Sequence, residues 1–214
     1  MIAAELYTDV ELITPPLIEP IDVDQFKKHI KFTPSSEDSL IDTYIAMARA
    51  QFEEYTGRQL ITATWEYQLE GFPAGVFDLP KPPLIKVVSV TYGADDVVLV
   101  EGTDYRVTTP KGPYARRGYL QPISGAWPSA TTDRAAVRIR FEAGYGPAPG
   151  YVPELARGCL FFLAAHFHQY RTEIVVDPIR VGTLIPLPIG AESIMRAFKN
   201  SALSSYPHPR RVTA

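Results

Sequence analysis

The stretch SSEDSLIDTYIAMARAQFEEYTGRQLITATWEYQL, residues 35–69, changes its hydrophobic period partway along. In its first half Leu40, Ile41, Tyr44, Ile45, Ala48, Phe52 and Tyr55 recur one, three and four residues apart, the spacing of one buried helical face. Asp42, Arg49 and Glu53 fall on the other side. Ser35 or Ser36 is placed to cap this helix, and Glu37 and Asp38 bring negative charge to its unpaired first-turn amides. Gly57 supplies the left-handed residue that ends it. Directly afterwards Ile61, Ala63, Trp65, Tyr67 and Leu69 alternate with Thr62, Thr64, Glu66 and Gln68, the period of a strand. A long helix handing straight to a strand sets the frame for the rest of the chain.

Working toward the amino terminus, Ile21 to Lys31 reads as a short helix capped by Asp22, with Val23, Phe26, Lys27 and Ile30 on one face. Pro34 separates it from the long helix, which predicts an angled helical pair. Residues 1–20 read as an arm, because Pro15, Pro16 and Pro20 prevent a long helix. The arm either packs along the body as a strand or extended tail, or reaches a neighbouring subunit.

Toward the carboxyl terminus, residues 61–150 read as β. Short strands are expected at 76–79, 84–92, 97–100, 105–108, 118–121 and 136–141, with Gly- and Pro-rich turns between them, as in an antiparallel sheet or small sandwich. GYGPAPG, residues 144–150, ends the β section, and Pro153 is placed for the first turn of a second long helix. Glu154 to Tyr170 is apolar almost all round, so it must be covered by the first long helix, the sheet or a neighbouring subunit. Leu155, Phe161, Phe162 and Phe167 are its candidate packing or interface residues, with Phe162 expected to be costly to truncate if fully buried. Thr172 to Ile189 is an extended segment, Gly190 to Asn200 a last short helix, and residues 201–214 a polar tail. The fold class is α+β. Residues 21–60 and 151–200 form a mainly helical body, and residues 61–150 an inserted antiparallel β module.

The 214 residues suit one large domain or one domain with an inserted module. A net charge of −3 gives no general case for nucleic-acid binding, which shows as a basic excess or stripe. The one cysteine, Cys159, excludes an intrachain disulfide and fits a reducing cytosol. Glu5, Asp9 and Glu11 near the start argue against a secretory signal peptide, and no stretch reaches the roughly 18 apolar residues of a membrane span. The 20 prolines cluster between elements and predict stiff, extended connections.

No catalytic, cofactor or metal site stands out. His166 and His168, with Glu173 beyond, are the metal candidates, but two helical residues apart places the rings about 200° around the axis. They read as helix-surface or interface histidines. Cys159 lacks a CxxC partner and reads as an inert core thiol. GYGPAPG lacks the Lys-Ser or Lys-Thr of a P-loop, and its prolines remove amides a phosphate needs. Asp95-Asp96 and Glu53-Glu54 read as solvated charges. Arg116-Arg117 and Arg210-Arg211 face solvent, an acidic partner surface or a DNA backbone.

The order of motifs is more specific than any one of them. IDVDQFKKHIKF is followed by EDSLIDTYIAMARAQFEEYTGRQLITATWEYQLEGFP, then LPKPPLIKVVSVTY, DYRV, GAWP, VRIRFEAGYG, VPELARGCLFFLAAHFHQYR and LPIGAESIM. Over about residues 14–200 the chain resembles the tailed-phage head–tail connector (adaptor) family, the gp6-like group, which also occurs in prophages and gene transfer agents. The resemblance implies a structural virion protein, made in the bacterial host cytoplasm, with no enzymatic activity and no cofactor. It implies a homo-oligomeric ring, typically of twelve, between the portal and the stopper or tail-side neck proteins. Helical bodies would pack side by side around the DNA channel, whose wall either contacts DNA or lets it slide. The family's carboxyl-terminal segment docks on the portal, which makes Tyr206, His208, Arg210 and Arg211 the candidate docking tail. A stopper or tail-completion protein of the neck is the alternative, and an enzyme with an unrecognised site the third.

Overall fold

The structure is a computed structural model, and it describes residues 8–130, 136–170, 174–177, 180–184 and 187–203. The arm opens as strand β1 (Thr8–Thr14), paired antiparallel along what becomes β2. Helix α1 (Val23–Ile30) is capped by Asp22, whose carboxylate accepts from the Gln25 amide at 2.7 Å, and ends at Lys31 in the left-handed region. Helix α2 (Asp38–Thr56) follows. Neither Ser35 nor Ser36 caps it. Glu37 holds the cap position with no side-chain hydrogen bond to the helix amides, because a backbone turn from the Asp38 amide to the Ser35 carbonyl leads the chain in. Gly57, at φ +67°, ends the helix as the sequence predicts.

Two sheets make the β module. Strands β2 (Ala63–Leu69), β4 (Leu84–Tyr92), β5 (Val97–Leu99) and β8 (Val137–Ala143) join β1 in a five-stranded antiparallel sheet of order β1-β2-β8-β4-β5. Strands β3 (Phe77–Asp78), β6 (Tyr105–Thr108) and β7 (Tyr119–Pro122) form a second antiparallel sheet of order β3-β7-β6. Residues of both sheets, among them Leu69, Phe77, Val90, Leu120, Ile139 and Phe141, share one apolar cluster. Val137, Ile139 and Phe141 face that cluster, and Arg138 and Arg140 alternate away from it, the signature of a sheet solvated on one side. On the wet side Arg140 pairs with Glu66 at 2.8 Å, Lys86 with Glu142 at 3.0 Å, and Arg138 with Asp96 in the turn.

Helix α3 (Glu154–Gln169) begins after Pro153, and α4 (Ile189–Leu203) closes the described chain. Between them β9 (Ile174–Asp177) and β10 (Arg180–Leu184) pair antiparallel, so the segment expected to be merely extended folds back on itself. A second apolar cluster holds the helices together, with Phe26 from α1, Ile45 and Phe52 from α2, Leu160 and Leu163 from α3, and Met195 and Phe198 from α4. Helical and β residues therefore have separate cores.

The joint between them is the turn after α2. Thr56, Arg58 and Gln59 are the buried polar residues of the described chain, and Arg58 is fully enclosed. Its Nε donates to the Phe198 carbonyl at 3.1 Å, and its two terminal nitrogens to Tyr145 Oη at 3.1 Å and Ser201 Oγ at 2.6 Å. Tyr145 in turn donates to the Pro113 carbonyl at 2.6 Å. Glu53 is not solvated: its carboxylate accepts from the Leu60 amide and Gln59 Nε2, both at 2.9 Å, and from Arg49 at 2.8 Å, while Arg49 also reaches Glu19 of the arm at 2.7 Å. Burial pushes the Glu53 carboxyl up, against the pull of Arg49.

Helix α4 runs past the expected end at Asn200, so Ser201 and the buried Ala202 belong to the fold, not to the tail. Deleting residues 201–214 should lower stability by about 1–3 kcal/mol, the scale of unpairing a buried donor. Deleting residues 204–214 should leave a urea melt unchanged, because it spares both residues.

Candidate interaction surface

Helix α3 has three sides. Ala156, Cys159, Leu160, Leu163 and Ala164 are buried in the helical core. A second side meets α1, where Arg157 reaches Gln25 Oε1 at 3.3 Å and the Phe161 ring stacks on His29 at 5.0 Å. The third side carries Leu155 and Phe162, 47% and 45% exposed, with the His29 ring of α1 meeting Phe162 edge-on at 6.4 Å. The four residues singled out in the sequence thus divide. Phe161 and Phe167 pack partly against the core, and Leu155 and Phe162 point outward. Helix α2 shows the same on a smaller scale, with Leu40 and Met47 exposed. Sequence periodicity missed this second patch because Leu40 follows the same rhythm as the core residue Ile41 beside it.

The chemistry-bearing residues are spent on structure. His168 lies edge-on to Phe26, Phe32 and Tyr44, with its Nε2 a long 3.5 Å from Glu37. His166, on another side of the helix, tilts against Tyr170, and burial lowers its pKa. Among the described residues no group of three or more His, Cys, Asp or Glu is placed to hold a metal ion, and no helix is long and apolar enough to cross a membrane. Glu173 lies outside the described residues, as do Tyr206, His208, Arg210 and Arg211. A depression of about 800 Å³ lies between the arm, α1 and α2. Of its five carboxylates Asp22 caps α1, Glu19 pairs with Arg49 and Asp38 with Lys27, while Asp24 and Asp42 also line it. Arg116 is exposed, and Arg117 is half-buried beside Tyr67. In the same loop Tyr114 packs on Phe198 at 4.8 Å, which seats the loop against α4.

Two outcomes follow from these burials. Phe52→Ala should cost about 3–5 kcal/mol as a core truncation, and Phe162→Ala under about 1 kcal/mol as a surface one, read from thermal melts of the free chain. Burial pushes the Cys159 thiol from 9.0 up to about 12, and its Sγ donates to the Ala191 carbonyl at 3.5 Å. The folded chain should therefore resist a thiol reagent at pH 8 and react once unfolded in urea. Between pH 9 and 12 the unfolded thiol ionises and the folded one does not, so this group's contribution to stability falls as pH rises.

Leu155 and Phe162 thus give the chain an exposed apolar helix face beside a closed core. Residues 20–94 match the family model described as phage gp6-like head-tail connector protein. No curated protein matches the chain. Solved structures do match in fold. A chain in the neck of an empty gene transfer agent particle, computed with C6 symmetry, has a TM-score of 0.73 at 19% identity, covering 93% of this chain and 98% of its own. A chain in the virion of the native particle gives 0.73 at 19% over 92% and 97%, and one in the native neck, computed with C12 symmetry, 0.70 at 19% over 93% and 98%. Residues 20–94 thus resemble the phage gp6-like head–tail connectors, and through nearly its whole length the chain has a fold similar to that of those neck chains.

Proposed function

We propose that this chain is a structural subunit of a virion neck, a head–tail connector that assembles as a ring of twelve between the portal and the stopper or tail-side proteins. The observation that carries this reading is the connector match over residues 20–94, set within a fold similar over its whole length to chains of neck assemblies computed with sixfold and twelvefold symmetry. The surface chemistry supports it. The described residues present apolar helix faces suited to protein contact, and their charged and polar groups serve caps, ion pairs and the joint. A subunit of this kind works by shape and contact, without catalysis or cofactor. The segment after α4, with Tyr206, His208, Arg210 and Arg211, is the candidate portal anchor, since it follows the last described element of the helical body.

Particles made without this chain should contain filled heads and separate tails that fail to join, seen by negative-stain electron microscopy. Normal joined particles would refute the connector role. Particles carrying a chain that ends at residue 203 test the anchor. Retention of the shortened chain on the portal at wild-type occupancy would remove the tail from that role.

A further inference from the structure

Two helices of the body carry stripes that the described chain leaves largely open. On α3 the stripe is Leu155, Gly158, Phe162 and Ala165; on α2 it is Leu40, Thr43, Met47 and Ala50. Both advance by three, four and three residues, so each stripe stays on one side of its helix. In each case the side is turned away from the centre of the helical core, to which α2 contributes Ile41, Ile45 and Phe52, with Ala165 packing at the core's edge and His29 touching Phe162 edge-on. Leu155, Phe162 and Met47 are nearly half exposed, and Leu40 is 37% exposed.

The two stripes are complementary in size. From its amino end the α3 stripe runs large, small, large, small. From its carboxyl end the α2 stripe runs small, large, small, large, with the same spacing. Laid antiparallel, Leu155 meets Ala50, Met47 meets Gly158, Phe162 meets Thr43 and Leu40 meets Ala165. Each large side chain then faces a small one, which is how ridges of one helix enter the grooves of another.

Gly158 has no explanation inside the chain. A Cβ built there would meet nothing within 4 Å, and its φ is an ordinary helical one. Glycine in a helix interior costs about 1 kcal/mol relative to alanine. What it provides at this position is a notch open to the outside, midway between two bulky exposed residues.

The direction also fits. Within one chain α2 and α3 run antiparallel: His168 near the end of α3 lies by Glu37 at the start of α2, and the Thr62 amide beyond α2 donates to the Gly146 carbonyl ahead of α3 at 3.0 Å. A copy related by a small rotation keeps that sense, so its α2 approaches α3 antiparallel. The stripes are different patches of one chain, so the contact is head to tail, and such contacts close rings. We propose that the α2 stripe of one copy seats on the α3 stripe of the next, with Met47 in the Gly158 notch, and that this contact builds the ring. The inference rests on the ring reading above and adds to it the partner surface and register.

The test uses the full chain. Gly158→Leu fills the notch from the outside, so it should leave the thermal melt unchanged or raised while at least tenfold weakening self-association in sedimentation velocity. In a Cys159→Ala background, Met47→Cys with Gly158→Cys should give a ladder of disulfide-linked multimers on oxidation, and Leu40→Cys with Gly158→Cys, two turns out of register, should not. A ladder from the first pair alone supports the contact even where the free chain sediments as a monomer. If the wild type assembles, and Gly158→Leu assembles equally or neither pair crosslinks, the ring uses another face and this inference falls while the ring reading stands. A wild type that stays monomeric with no ladder from either pair removes both.

Discussion

A guanidinium with no carboxylate partner among the described residues sits at the point where the two halves of this chain meet. Arg58 is enclosed between the end of α2, the connector at Tyr145 and the last turns of α4, and its three hydrogen bonds go to a carbonyl, a phenol and a hydroxyl. Burial lowers its pKa, yet a guanidinium starts so high that it keeps its charge. A buried charge tolerates little misplacement, because each lost partner leaves a donor unsatisfied in a medium that cannot solvate it. Arg58 therefore fixes α4 and the connector against the turn that begins the β module, 140 residues away from Phe198 in sequence. Glu53 does the same for the near side, joining α2, the turn and, through Arg49, the arm.

With the joint fixed, each half can close its own core, and the residues left over define what the molecule offers. The β module buries one face of its larger sheet and laces the other with ion pairs. The helical body buries one side of α2 and α3 and leaves apolar side chains on the other. Exposed apolar stripes cost a lone protein solubility and serve an assembled one, since the cores of obligate interfaces are apolar. A function carried by such surfaces leaves no pocket chemistry to find.

Local periodicity made much of the fold legible. Period 3.6 marked α2, an all-round apolar run marked α3, period two marked β2 and β8, and Asp22 and Gly57 marked helix ends because caps are local physics. Long-range geometry was not legible. Nothing local distinguishes Arg58 or Glu53 from a solvated charge, since their partners lie in distant segments or across a turn. Ser35 and Ser36 were sound capping residues displaced by a backbone turn. The β9–β10 pairing was hidden by prolines that suggested simple extension, and the end of α4 by polar residues that in fact face Arg58. For the candidate surface, the all-round apolar character of α3 gave the right helix. Which of its phenylalanines face outward depended on where α1 lies: His29 stacks on Phe161 and meets Phe162 only edge-on.

The role proposed for this chain is that of a ring-forming connector whose neighbours meet through their helical bodies. Cryo-electron microscopy of the neck of intact particles, with this chain fitted into the map, tests it most directly. The account predicts a closed ring of this chain directly beneath the portal, with α2 of each copy lying against α3 of the next. A neck without this chain, or a ring whose copies touch only through their β modules, would contradict it.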